Sequence, residues 1–310
     1  AEKEGLLNVL KSEIIEDADF TEDLIAFRRK VVFFFLRNHI VTHNAPNAWL
    51  FLKSVQDDKI VQDLLFSVED WSNPISYELF ERCKDFEKTD PYGFYHVLDN
   101  IAKRNEDYAV EILSKLLPVH FEKSKSDKDY EEKEVLKTLA KKCPHKLYPI
   151  FYNCIEIDLK REVEYEQSII RDWKYNNVDL NDRDTIFGSE FIYQLLAICL
   201  KRTAKSYPEH FVPFFERAKN SKYQAILQLL LFSLNGNEEQ HYDKVFIIFQ
   251  KLFESGLIGQ DSDMDFELRT LVEKAFKYFK PNQRDYVILK IKGYVNRYEI
   301  RFHEYGEPRK

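Results

Sequence analysis

Two histidines have the spacing of a metal-binding pair. His39 and His43 stand four residues apart, which places both imidazoles on one face of a helix. The intervening residues Ile40–Val41–Thr42 do not provide the glutamate that follows the first histidine in the zinc-protease motif. We therefore interpret the two histidines as interface residues and predict no metal site at this position.

The alternating aspartates Asp261, Asp263 and Asp265 begin like a calcium-binding loop. Such a loop needs glycine at its sixth position and glutamate at its twelfth, where this chain has Phe266 and Val272. The aspartates fit the first turn of a helix, because acidic residues there complement the helix dipole. The chain also lacks the glycine-rich phosphate loops and the GxSxG nucleophile turn. The sequence therefore predicts no catalytic residue, no cofactor and no enzymatic activity for this chain.

Basic residues recur at matching places in two parts of the chain. They are Lys137, Lys141, Lys142, Lys201, Arg202 and Lys205. They fall near the C-terminal ends of two predicted helices, where positive charge complements the helix dipole. The alternative is that the two clusters stack into a basic ridge that binds an acidic partner. Either interpretation accounts for the sequence.

Residues 158–188 interrupt the regular pattern of helices. The first half still has a helical pattern, whereas the second half is polar and carries scattered aromatic side chains. Long loops between helical repeats often project on the binding face. The predicted binding residues of this insertion are Trp173, Tyr175, Asn176, Asn177 and Phe187. The alternative is that the aromatic side chains pack into the helical core.

Repeated helix pairs are the elements that must position these residues. The segment Tyr95–Leu117 predicts two helices separated by a polar break at Arg104–Asp107. The sequence VLKTLAKKCPHKLYPIF (Val135–Phe151) is echoed further along by CLKRTAKSYPEHFVPFF (Cys199–Phe215), with matching prolines. Helix pairs of this kind cannot bury their apolar faces alone and must stack on one another.

Proline and capping residues predict where further helices begin and end. Starts are expected at Pro46, Asn73–Pro74, Asp90–Pro91, Ser262–Asp265 and Pro281, and ends at Asn235–Gly236 and Ser255–Gly256. Three stretches are apolar nearly all round and are predicted to be interior: FIYQLLAICL (Phe191–Leu200), AILQLLLFSL (Ala225–Leu234) and VFIIFQKLF (Val245–Phe253).

The predicted fold class is all-α. We expect a right-handed α-solenoid of irregular HEAT/TPR-like helix pairs, with about fifteen helices in total. The predicted organisation has N-terminal helices in 1–45, a first helical-repeat block in 46–157, the insertion in 158–188 and a second helical-repeat block in 189–310.

Composition limits the class of partner. The net charge of −7 disfavours binding to the nucleic-acid backbone, because that affinity depends on neutralising phosphates. No apolar run approaches the roughly 18 residues of a membrane span, so no membrane partner is predicted. The four cysteines form no CxxC pair, which favours reduced thiols and a cytoplasmic protein. The chain begins with Ala1 and its one methionine is Met264, so we expect a piece of a longer polypeptide.

Two stretches carry a resemblance to a known group of proteins. They are FRRKVVFFFLRNHIVTHNAPNAWLFLKSV (Phe27–Val55) and DFELRTLVEKAFKYFKPNQRDYVILKIKGYVNRYE (Asp265–Glu299). Their Leu, Phe and Lys phasing resembles the helical-repeat region that follows the NTPase core in bacterial STAND ATPases of antiviral defence. The resemblance implies a sensor that binds a phage terminase or portal protein, with oligomerisation through parts of the protein missing from this chain. The nucleotide-binding residues of the family have no counterpart here.

The resulting hypothesis is a non-enzymatic, protein-binding α-solenoid that forms the sensor module of a larger STAND NTPase. One alternative is a general intracellular scaffold or adaptor solenoid. The second alternative is a helical-repeat protein that binds or repairs nucleic acid, which a continuous basic ridge would favour.

Overall fold

The computed structural model describes residues 30–31, 33–83, 91–123, 133–160, 175, 178, 180, 188–256, 258 and 262–293. Residues 30–31 and 33–37 are helical and lead into a π-helical segment, Asn38–Thr42, and a short 3-10 turn covers Phe276–Tyr278. Within the described residues the α-helices after the π-helical segment are α1 (Pro46–Ser54), α2 (Asp58–Phe66), α3 (Pro74–Arg82), α4 (Pro91–Arg104), α5 (Glu106–Lys123), α6 (Lys133–Lys142), α7 (Pro144–Leu159), α8 (Gly188–Ser206), α9 (Pro208–Ala218), α10 (Gln224–Leu234), α11 (Glu238–Glu254), α12 (Ser262–Ala275) and α13 (Pro281–Lys292).

Helix starts follow the capping residues of the sequence. The Asn73 side chain accepts a hydrogen bond from the Ile75 amide, and Pro74 occupies the first turn, where its missing N–H costs nothing. Helix α2 begins in the same way, because the Asp57 carboxylate accepts from the amides of Lys59 and Ile60. The predicted starts at Pro46, Pro74, Pro91, Ser262 and Pro281 are confirmed.

Two glycines end helices where the sequence predicted ends. Gly236 follows α10 with a φ of 91°, and Gly256 follows α11 with a φ of 67°. Side chains with a Cβ rarely adopt this left-handed backbone region, so glycine is favoured at both positions.

The chain divides into two compact units, and the division passes through α5 and α6. The first unit contains residues up to Ile112 together with Tyr130–Leu139. Here α1 packs on α3, and α2 packs on both α3 and α4. Buried aromatic rings fill its core, and the ring of Phe80 stacks on that of Phe94 with centroids 5.2 Å apart.

The second unit contains Leu113–Asp129 and all residues from Ala140 onward. Helix α7 packs on α8, α8 on α10, and α10 on α12. Helix α9 packs on α8 and α10, and α11 packs on α10 and α12. The pairs α8 with α10 and α10 with α12 are two positions apart, as in helical hairpins that are stacked side by side. The fold is all-α and solenoid-like; its right-handedness stays a prediction.

Two of the three stretches predicted to be interior are buried. Every residue of α10 except Gln228 is buried, and Phe191–Ala197 of α8 is buried throughout. The prediction for α11 is wrong, because Ile247 is 40% exposed while Val245, Ile248 and Phe249 are buried. Helix α11 is amphipathic and covers α10 with one face only. None of the helices that the structure describes combines the length and hydropathy needed to cross a bilayer.

Candidate interaction site

Exposed positive charge gathers where helices α6 and α8 end. Lys141 and Lys142 form the last turn of α6, and Lys205 lies in the last turn of α8, one turn beyond Arg202. All four side chains are exposed. We call these four residues, Lys141, Lys142, Arg202 and Lys205, the basic corner.

Contacts between neighbouring hairpins bring the two halves of the basic corner together. The Arg202 guanidinium donates a hydrogen bond to the main-chain carbonyl of Ala140 at 3.4 Å, which places it beside the last turn of α6. Just beyond the helix ends, the rings of His145 and Tyr207 lie 4.0 Å apart between centroids. The corner is thus one surface built from two hairpins that are far apart in sequence.

Three members of the basic corner form no ion pair with any carboxylate that the structure describes. No ion pair among the described residues includes Lys141, Arg202 or Lys205. Elsewhere in the second unit cations are commonly paired, as in Arg217 with Glu156 at 2.6 Å and Lys280 with Asp243 at 3.2 Å. The lack of neutralisation at the corner is therefore a local property of this surface.

Two of the predicted basic residues lie outside the corner. Lys201 points toward the following hairpin, where its ammonium sits 4.5 Å from the centroid of the Phe232 ring. Lys137 is only half-exposed and belongs to the part of α6 that is counted with the first unit. The structure thus brings Arg202 beside the last turn of α6, whereas the Lys201 ammonium lies over the Phe232 ring.

The basic ridge does not continue into the next hairpin. Helix α10 has no basic residue in its last turn, and Asn235 accepts a hydrogen bond from Lys274 there. Glu238 and Glu239 follow at the start of α11. The Glu238 carboxylate accepts from the amide of Gly236. The following hairpin therefore has both signs of charge here, with Lys274 beside the end of α10 and two glutamates at the start of α11.

Tyr175 is the one predicted insertion residue that the structure describes. Its side chain is 1% exposed, and its hydroxyl donates a 2.6 Å hydrogen bond to the Asp158 carboxylate. Its ring stacks on Tyr193 with centroids 4.6 Å apart. Tyr175 therefore packs against α7 and α8, as in the core-packing alternative for the insertion. The other predicted residues, Trp173, Asn176, Asn177 and Phe187, lie outside the described residues.

Aromatic and histidine side chains beside the basic corner were missed by the sequence reasoning. His145 contacts Tyr207 and also His210, whose ring centroid is 4.9 Å away. The Tyr148 hydroxyl donates to the main-chain carbonyl of His210 at 2.7 Å. The repeated Lys-rich turn followed by proline was the available signal, because it places these residues at equivalent helix starts.

The cysteines are buried thiols. None of the four, all of which the structure describes, forms a disulfide. Burial raises the pKa of Cys154 to about 12, and burial also raises the pKa values of Cys199 and Cys83. Their thiols stay protonated near neutral pH, whereas thiolate is the nucleophilic form. No group of three or more His, Cys, Asp or Glu in the described part of the chain could hold a metal ion.

Comparison with known proteins adds no family. No family model, no curated protein and no solved structure matches this chain.

Proposed function

We propose that this chain is a non-enzymatic helical-repeat module that binds a protein partner. We further propose that it serves as the sensor of a larger STAND-type NTPase and recognises a phage protein such as a terminase or portal. The support for the binding module is the way successive hairpins of the second unit are joined. The support for the sensor role is the resemblance of Phe27–Val55 and Asp265–Glu299 to the repeat regions of such proteins.

Side-chain to main-chain hydrogen bonds join the hairpins, and they carry the proposal. Tyr193 donates to the Ala225 carbonyl at 2.8 Å, across from α8 to α10. The His241 ring donates through Nε2 to the Ala204 carbonyl at 2.7 Å, across from α11 to α8. Both hydrogen bonds are buried. Breaking a buried hydrogen bond is costly, because neither the donor nor the acceptor can then bond to water. Such bonds hold neighbouring hairpins in place, and a surface that is ordered before binding loses less entropy when a partner binds.

The test is affinity capture from bacterial lysates. The chain is immobilised and exposed to matched lysates from phage-infected and uninfected cells, and retained proteins are identified by mass spectrometry. The proposal expects a phage structural or packaging protein from infected cells only. Recovery of the same host proteins from both lysates would instead favour a scaffold or adaptor, and would remove the support for a viral ligand.

An activity measurement is the second arm of the test. The purified chain is incubated with ATP and GTP, and released phosphate is measured against a heat-unfolded sample. The proposal expects no hydrolysis above that control. Sustained turnover by the folded chain contradicts a non-enzymatic module.

The structure gives less support than the sequence does to the alternative of a protein that binds or repairs nucleic acid. It needs a basic surface long enough to follow a phosphate backbone. The basic corner spans two hairpins, and the next hairpin begins α11 with Glu238 and Glu239. A steep loss of DNA binding with added salt would be the result that restores this alternative.

A further inference from the structure

The basic corner has more positive charge than its helix ends require. Lys141, Arg202 and Lys205 contribute three positive charges without an ion-pair partner in the described structure. The C-terminal ends of α6 and α8 each contribute about −0.5 of an elementary charge through the helix dipole. The sum leaves about two uncompensated positive charges on an exposed surface. Helix capping therefore accounts for only part of the cluster.

The charged side chains of the basic corner are limited to two neighbouring hairpins. Its positive side chains come from two adjacent hairpins, whose stacked helices are separated by about 8–10 Å. The next hairpin has acidic residues at the start of α11, Glu238 and Glu239, and Glu239 accepts a hydrogen bond from Tyr278 at 3.4 Å. A long, uniformly negative partner that extended to the start of α11 would meet these two carboxylates. A partner with a short anionic segment fits the corner without meeting that barrier.

We infer that the basic corner is the docking site for a short acidic segment of a protein, bound in extended form across the ends of α6 and α8. In the extended polyproline II conformation a chain has three residues per turn and advances about 3.1 Å per residue, so carboxylates three residues apart lie on one side, about 9 Å from each other, which matches the hairpin spacing. One carboxylate meets Lys141 and the next meets Lys205, with Arg202 between them. This inference rests on the proposed protein-binding function and names the chemistry of its partner.

The aromatic side chains next to the corner favour a peptide as the occupant. Tyr207 and His145 are half-exposed and lie together immediately beyond the two helix ends. Tyrosine and arginine are among the residues enriched at the energetically important positions of protein interfaces. A residue flanking the carboxylates of the segment can rest against this pair of rings.

Binding is tested with labelled synthetic peptides and fluorescence anisotropy. One peptide carries glutamate at every third position among Gly and Ser, and a second has the same composition with its glutamates in one block. A third has lysine in place of glutamate, and a single-stranded oligonucleotide of comparable length is the fourth probe. We expect the spaced acidic peptide to bind more tightly than the block peptide, and the lysine peptide not to bind.

A charge-reversal variant locates the site. The double variant Lys141→Glu with Lys205→Glu keeps the hydrogen bond from Arg202 to Ala140. The matched control, Lys222→Glu with Lys292→Glu, makes the same change in net charge at two exposed positions outside the corner. We expect the corner variant to bind the spaced peptide about 30-fold more weakly, since two attractions become two repulsions. The control should change binding by about threefold or less through net charge alone.

Each other outcome overturns the inference. Equal loss in the corner variant and its control means that binding is nonspecific. No binding of the spaced peptide by the unaltered chain removes the acidic segment as the ligand. Tighter binding of the oligonucleotide than of any peptide assigns the corner to nucleic acid.

The same variants in the lysate capture separate this inference from the proposed function. If the phage protein is still retained by the corner variant, the module binds its partner elsewhere and only the corner is refuted. If the unaltered chain retains no phage protein but binds the spaced peptide through the basic corner, the acidic-segment site is supported and recognition of a phage protein is refuted.

Discussion

His241 makes the stability of the second unit depend on pH. The side chain is 2% exposed, and its Nε2–H donates to the Ala204 carbonyl while Nδ1 is buried without a hydrogen-bond partner. Desolvation lowers the pKa of this imidazole below its ordinary value of 6.5, and the nearby Lys244 lowers it further, whereas the bond to Ala204 acts in the opposite direction. The folded protein therefore holds His241 neutral where the unfolded chain already binds a proton.

The sign of the effect follows from proton binding. Below pH 6.5 the unfolded chain takes up a proton at His241 that the folded chain refuses, so the free energy of unfolding falls as the pH falls. The loss stops once the pH passes below the lowered pKa of the folded state. Within this window the slope is at most about 1.4 kcal/mol per pH unit. Between pH 7.5 and 5.5 the loss from this residue is therefore at most about 1.4 kcal/mol.

Urea denaturation followed by circular dichroism measures the effect. Other titrating groups contribute equally to both proteins when the unaltered chain is compared with the variant His241→Gln, which can still donate to Ala204 but does not titrate. We expect the unaltered chain to lose more stability than the variant between pH 7.5 and 5.5. A difference that is flat, or that grows in favour of the unaltered chain in acid, would falsify the assignment of a neutral buried histidine.

Three further perturbations test contacts of the second unit. Tyr175→Phe removes the hydrogen bond to the Asp158 carboxylate and should lower the free energy of unfolding by about 1.5–2 kcal/mol in urea denaturation. An unchanged urea midpoint would contradict a stabilising role for this hydrogen bond. Gly236→Ala places a side chain at a φ of 91° and should lower the free energy of unfolding, measured by thermal denaturation, by about 1 kcal/mol. The cause is backbone strain and not a steric clash, because the added Cβ meets no atom closer than 3.7 Å. Arg217→Ala should cost about 1 kcal/mol by removing the pair with Glu156, and the cost should shrink in high salt; a cost insensitive to salt would point to packing alone.

Much of the helical architecture could be predicted from local chemistry. Helices begin at Pro74 and Pro281 because proline suits the first turn, and α10 ends before Gly236 because glycine tolerates the left-handed region. The break in the Tyr95–Leu117 pair is confirmed, with Asn105 between α4 and α5. The exposure of Ile247 was not predicted, because an apolar run does not show which of its faces has a neighbour.

The candidate site was predictable only in part, since it is assembled by contacts between hairpins. The sequence grouped six basic residues by their places in two repeats, but it could not show that the Lys201 ammonium lies over the Phe232 ring. Nor could it show the burial of Tyr175, because an aromatic residue in a polar insertion is compatible with either a core or a surface position. The proximity of His145 and Tyr207 likewise depends on how the hairpins stack.

The hydrogen bonds that join the hairpins have a consequence for how this sequence can change over evolutionary time. Tyr148, Tyr193 and His241 each donate to a carbonyl of the main chain, which every amino acid provides. The residue that contributes the acceptor can therefore be replaced without loss of the bond, provided that the helix keeps its position. The donor residue and the residue that provides the acceptor carbonyl therefore need not change together. The sequences of neighbouring repeats can diverge while the hydrogen bond between them is kept.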